Sequence, residues 1–365
     1  MMKAARDSNI ELLRIVSMLM TLTLHYLIFG NVLSRSAFGS AAYYGNWTLE
    51  AICLISVDCY MLISGFFLSQ KKFTSRRILS FYAQILFYTI IMAILCFSLG
   101  IADLNTANLI QIVPVMGGRN WYVTAYFCLL FLTPVLNHVV HTMERRKLRA
   151  VLTVLFVLLS VLHTFFFFSD TFRLENGHSV WWYCFVYMIG AYYRKYEIRI
   201  NRKTYALALL ILLLPLSKLI IDSSDHAVLR SLIQVLYAYD SFPVLVASVI
   251  VFDFFVRIKI HSERVNKIIC LFGKTSFAVF YIHVFILWGE KIWTALGSEK
   301  YVDSNMQMIH LLACVSSVYI ACSAAEIIRL RLFQVLKIDG AISAVSKKID
   351  AKVIPASEKE YALDS

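Results

Sequence analysis

The sequence predicts an all-α polytopic membrane protein with about ten transmembrane helices and both termini in the cytoplasm. Three observations carry that prediction. Of the 365 residues, 59% are hydrophobic and only 16% charged, with a mean hydropathy of +0.69, a balance far from that of a soluble domain. Ten apolar segments are each long enough to cross a hydrocarbon core of about 30 Å. The basic residues between them fall on alternate sides.

The ten segments run over about 10–32, 48–68, 78–99, 121–141, 149–168, 180–196, 204–222, 229–256, 268–292 and 306–331. The sixth is short and aromatic, and the eighth is expected to bend near Pro243. With the N-terminus inside, 27 of the 35 Lys and Arg lie in cytoplasmic segments, seven outside, and Arg14 within the membrane. A wrong helix count would scramble this alternation, so the positive-inside rule supports ten helices. The net charge of +12 then reflects topology and contact with anionic membrane lipid, and no nucleic-acid partner is implied. The eight Cys lie in or at the ends of apolar segments with no CxxC spacing, which reads as small buried hydrophobes rather than a disulfide or zinc framework. The first apolar run is too long for a cleavable signal peptide. Residues 1–337 read as one transmembrane domain and 338–365 as a short polar cytoplasmic tail, so any chemistry belongs to the helical bundle or its surfaces.

In the first segment Arg14 and His25 are eleven residues apart, about three full turns plus 20°, which puts them on one helix face about 16 Å apart along the axis. Glu11, Ser17, Met18 and Thr21 fall near the same stripe. A charge facing lipid costs several kcal/mol, so this face must point into protein or a wet cavity, and its polar residues are candidates for function.

The second segment carries Asp58, a carboxylate that needs a partner, expected as a cation or hydroxyl on the first helix, and read as supporting the site. Ser64-Gly65 reads as a helix-packing seam. Arg76 and Arg77 follow on the cytoplasmic side. Their spacing alone reads as a topology-setting cluster, and the alternative is a contact to the phosphates of an anionic cofactor. The fourth segment opens with Gly117-Gly118-Arg119-Asn120-Trp121-Tyr122, either an interfacial aromatic belt or a platform for a sugar ring, and Trp181-Trp182-Tyr183 repeats the pattern at the sixth.

In the ninth segment, Tyr281 and His283 follow Ser276 within apolar sequence. A lone His there reads first as a hydrogen-bonded packing residue. The remaining His residues show no metal-ligand spacing. The sequence has no phosphate loop, no G-x-S-x-G elbow, no HExxH and no acidic DxD-type cluster, which argues against ATPases, hydrolases and most metal-dependent glycosyltransferases. Arg14 and His25 remain the sharpest signal, since a neutral imidazole in the outer half of a membrane is suited to take a proton from an incoming sugar hydroxyl.

With these residues in view, the chain resembles the membrane acyltransferase-3 family, integral-membrane O-acyltransferases of bacterial surface glycans, from about residue 8 to 335. Family members carry an Arg and a His in the first helix with ten residues between them, here Arg14 and His25, and an acid three residues before the Arg, here Glu11. Val57-Asp58-Cys-Tyr-Met-Leu-Ile-Ser64-Gly65-Phe66 is similar to the family's VD-aromatic-x-x-SG-aromatic stretch. Arg77 matches the first basic position of the R-x-x-R pattern that follows, and Ser80 stands where the second Arg usually is. Trp121-Tyr122 resembles the tryptophan motif, and Ser276…Tyr281-Ile-His283 the late S-x-x-x-Y-x-x-H motif, with one fewer residue between Tyr and His.

The resemblance implies transfer of an acetyl or other short acyl group from cytosolic acetyl-CoA, as co-substrate and without a metal, to a glycan hydroxyl presented outside the bacterial inner membrane. It implies His25 as general base or transient acyl carrier, with Arg14, Glu11 and Asp58 completing the catalytic set. Arg14, Arg76 and Arg77 are then candidates for the acyl-CoA, and Trp121, Tyr122, Tyr281 and His283 for the glycan acceptor. Some relatives carry an extracytoplasmic hydrolase-like domain, and this sequence is expected to act alone or with a separate partner. The competing readings are a glycan transporter, which the buried Arg, His and Asp would also suit but for which the two halves show no internal repeat, and a membrane sensor or scaffold, which would not need the Arg–His stripe.

Overall fold

The computed structural model describes residues 8–115, 120–166, 170–222 and 235–353. Among them the regular structure is helical throughout, and eight helices are long and apolar enough to cross a membrane. The first, α1 (Ser8–Ile28), is followed by α2 (Ala41–Cys53) and α3 (Ile55–Leu68), which are continuous but for a break at Leu54. Then come α4 (Ser75–Ser98), α5 (Trp121–Thr142) and α6 (Arg145–Phe165), the last interrupted by a π turn over Val157–Leu162. The remaining long helices are α7 (Val180–Lys195), α8 (Arg202–Asp222), α9 (Phe242–Arg257), α10 (Glu263–His283), α11 (Gln307–Val335) and α12 (Ile338–Val353).

The sixth and eighth predicted segments correspond to α7 and α9, sixteen residues each and so only about 24 Å long. By length and composition, eight helices among the described residues qualify as spans. Pro243 does not bend a long helix but opens a short one. It sits in the first turn of α9, where its missing N–H would have had no intrahelical partner anyway. Part of the predicted eighth segment, residues 229–234, lies outside the described residues. The ninth segment begins earlier and ends earlier than predicted, because α10 stops at His283. The predicted polar tail folds in part as α12, where Asp350 accepts from the Ser75 backbone N–H at 2.9 Å and so caps the start of α4.

α1 runs through the middle. Its apolar residues Leu13, Leu22 and Leu27 are fully buried. Its threonine hydroxyls are satisfied within the helix, Thr21 donating to the Ser17 carbonyl at 3.0 Å and Thr23 to that of Leu19 at 2.9 Å. On one side α3, α5, α7 and α9 share an apolar core. On the other, α4, α10 and α11 pack with the C-terminal half of α1. α3 and α7 approach until backbones touch. A Cβ on Gly65 would lie 2.0 Å from the Tyr187 carbonyl oxygen, and one on Gly190 2.3 Å from that of Leu62, as small residues permit where lipid supplies no hydrophobic drive to association. In α5, Pro134 cannot donate to Leu130, and the Thr133 hydroxyl takes that carbonyl instead at 2.8 Å, as buried backbone in an apolar surround requires.

Candidate active site

A cavity of about 230 Å³ opens between the two halves of the bundle. One wall is the α1 face carrying Arg14, Met18, Thr21 and His25, spaced i, i+4, i+7 and i+11 as one helix stripe demands. α3 contributes Val57, Tyr60 and Ser64, α4 Phe81 and Gln84, α5 Trp121, Tyr122 and Tyr126, and α10 Gly273, Lys274, Phe277 and Phe280, with Tyr239 beside them. The two polar residues read from the first segment thus line one cavity.

Arg14 is held from behind. Its guanidinium pairs with the buried Glu11 carboxylate at 2.7 Å, and the Tyr60 hydroxyl donates to its backbone carbonyl at 2.8 Å. Gly273 makes room for Glu11, since a Cβ there would meet the Glu11 Oε2 at 2.3 Å. Glu11 itself does not line the cavity.

At the other end, His25 Nδ1 lies 2.7 Å from His283 Nε2, and His283 Nδ1 lies 2.6 Å from the Val279 carbonyl. His283 is wholly buried behind His25, so it reaches the cavity only through its partner. The packing reading fits its burial, but its bond joins the one polar ring that matters most.

Trp121 and Tyr122 belong to the cavity wall. Tyr122 is buried and stacked at 6.1 Å and 4° with Tyr126, and Trp121 lies against the His178 ring at 4.0 Å and near Tyr239 at 5.9 Å. Burial holds the His178 imidazole below its usual range, so the ring joins this aromatic cluster uncharged. The sixth-segment repeat divides. Trp181 is exposed, whereas Trp182 and Tyr183 are buried. Gly117, Gly118 and Arg119 lie outside the described residues.

Four expected site residues stand elsewhere. Asp58 does not find its partner on the first helix. Its Oδ1 accepts from Trp182 Nε1 at 2.9 Å and its Oδ2 from the Ser248 hydroxyl at 3.4 Å. The reason is angular: Val57, Tyr60 and Ser64 face the cavity, while Asp58, Leu62 and Gly65 form the next stripe, toward α7. Tyr281 turns to α4, sharing a hydrogen bond of 2.7 Å with Thr89. Arg76 is exposed at the start of α4 and does not line the cavity. Arg77 is half-buried and lies four and seven residues before Phe81 and Gln84, which puts it on their face, one turn beyond the cavity end.

Sequence reasoning missed Lys274, Gln84, Tyr60, Tyr126 and Tyr239. Lys274 was counted only as a topology charge, yet it lines the same cavity as Arg14. Its place three residues before Phe277 along α10 was the available signal.

A family model for an acyltransferase domain matches residues 7–326, nearly the whole chain. The chain belongs to the acyltransferase-3 family. No curated protein and no solved structure matches it. As a member of that family it is an acyltransferase, and its apolar helices make it a multi-pass membrane protein. An acyltransferase must bring a donor carbonyl and an acceptor nucleophile to one base or carrier. The cavity joining Arg14 and His25 carries polar groups suited to that.

Proposed function

We propose that this acyltransferase moves an acetyl group from cytosolic acetyl-CoA to a sugar hydroxyl of a surface polysaccharide or lipid-linked glycan, in the bacterial inner membrane. The observation that carries the reading is the single cavity lined by Arg14 at one end and His25 at the other. A volume of about 230 Å³ admits the thioester end of the donor but not its nucleotide. The phosphates would remain at the charged mouth, where Arg14 and Lys274 line the wall and Arg77 lies one turn below. Arg is suited to phosphate through its planar donor fork, and Lys as a point charge.

At the far end, Trp121 and Tyr239 offer ring faces to the acceptor sugar. His25 takes the proton of the acceptor hydroxyl as its oxygen attacks the thioester carbonyl. The new C–O bond forms, the C–S bond breaks, and the proton on His25 passes to the departing thiolate. No step calls for a metal. Holding both reactants within one enclosed cavity supplies the orientation such a step needs.

The test is acetyl incorporation into surface glycan, read by NMR in cells carrying the wild-type chain, His25→Ala, or no chain. Acetyl ester signals confined to the wild type support the reading. Equal acetylation in all three would overturn it.

A further inference from the structure

The hydrogen bonds behind His25 fix more than its position. A carbonyl oxygen only accepts, so the 2.6 Å contact between His283 Nδ1 and the Val279 carbonyl requires the proton on Nδ1 of His283. A neutral imidazole carries one N–H, so His283 Nε2 holds a lone pair. That lone pair lies 2.7 Å from His25 Nδ1, which must therefore donate. The proton of neutral His25 is thus on Nδ1, and its Nε2 is the one nitrogen of the two rings left with an unused lone pair.

The reverse order would need a cationic His283. That ring is fully buried beside Phe280 and Trp293, and among the described residues no carboxylate pairs with it. A buried charge without a partner is strongly disfavoured, so the neutral arrangement stands.

We propose that His283 is a positioning residue that holds His25 in its Nδ1–H tautomer, so that His25 Nε2 is the nitrogen that takes the acceptor's proton. The inference rests on the reading of His25 as the base. A free imidazole favours the other tautomer, which would present an N–H where a lone pair is needed. The clamp also acts as the reaction proceeds. When His25 Nε2 gains a proton, the bond from Nδ1 to His283 becomes charge-assisted and strengthens, a stabilisation larger in the transition state than before it. The backbone carbonyl of Val279 is the fixed end of this chain, and α10 ends at His283 itself, so the helix terminus sets where the imidazole points.

Two variants and one spectrum test it. His283→Leu removes the acceptor, whereas His283→Gln keeps an amide oxygen that can accept from His25 Nδ1. Acetylation per unit of folded protein should fall about 100-fold in His283→Leu, within the range general-base catalysis supplies, with the KM for acetyl-CoA unchanged, and His283→Gln should regain at least tenfold of that loss. In ¹⁵N-histidine-labelled wild-type protein in nanodiscs, the His25 signals should show a protonated Nδ1 and a bare Nε2. Equal losses in the two variants, or full activity in both while His25→Ala is inactive, would overturn the clamp and leave the base assignment standing. So would a wild-type His25 protonated at Nε2, which decides the matter even if the variants fail to fold. Full activity in His25→Ala would instead remove the reading on which the clamp rests.

Discussion

Asp58 and His25 both set a polar group inside an apolar bundle, and the fold finishes them in opposite ways. Asp58 is closed off. Its two oxygens are taken up by Trp182 and Ser248, and its helix stripe continues into Leu62 and Gly65, where α3 and α7 touch backbone to backbone. His25 is left open. One nitrogen is tied to His283, and the ring lines a cavity it shares with Arg14. Burial is costly in both places. The difference teaches that cost alone does not mark chemistry, whereas bonding capacity left unused beside a cavity does.

The largest break in this comparison comes from the open seat. His25→Ala should lower the acylation rate by about 10³-fold, within the range of general-base contributions, in a protein that still folds in detergent. A variant that lost its fold as well would show that the ring also carries structure and would erase the contrast.

The closed seat should respond the other way round. Asp58→Leu leaves the Trp182 N–H buried without an acceptor, which costs about 1–3 kcal/mol of stability. The midpoint of thermal unfolding should drop, and turnover per folded molecule should not. Asp58→Asn keeps an oxygen for Trp182 and should lose much less. A hundredfold fall in turnover with an unchanged unfolding midpoint would return Asp58 to the catalytic set.

The two seats were unequally legible in the sequence, for a physical reason. The stripe from Arg14 to His25 lies on one helix, and helix periodicity alone puts its members together. Glu11 beside Arg14 follows from the same i, i+3 geometry. The Gly65 seam was equally local, because only a small residue admits a neighbouring backbone. The partners across the bundle were not local. Trp182 is 124 residues from Asp58 and His283 is 258 from His25, and periodicity says which face a residue is on but not which helix meets it. Asp58 was therefore assigned to the wrong neighbour. The boundaries at Pro243 and His283 were blurred because apolar sequence continues past both, so hydropathy carried the segments beyond the ends that capping sets. The eight helices of spanning length were visible for the opposite reason, since length and composition are properties of each segment by itself.

The smallest effect belongs to the residue that spacing placed on the cavity and charge counting hid. Lys274 is exposed on its own helix yet lines the cavity with Arg14. An exposed cation in water contributes modestly to any one contact, and it is screened by salt over about 8 Å at physiological ionic strength. Lys274→Gln should therefore raise the KM for acetyl-CoA by roughly three- to tenfold, in keeping with a contribution of about 1 kcal/mol, with kcat nearly unchanged. The rise should shrink as salt is added. Arg14, paired with buried Glu11 and less accessible to salt, should show a larger KM effect on conversion to Gln and a weaker salt dependence. If Lys274→Gln lowered kcat instead and left KM alone, the charge would be acting on the reacting atoms near His25 rather than at the mouth. The division of the cavity into a donor end and a chemical end would then have to be redrawn.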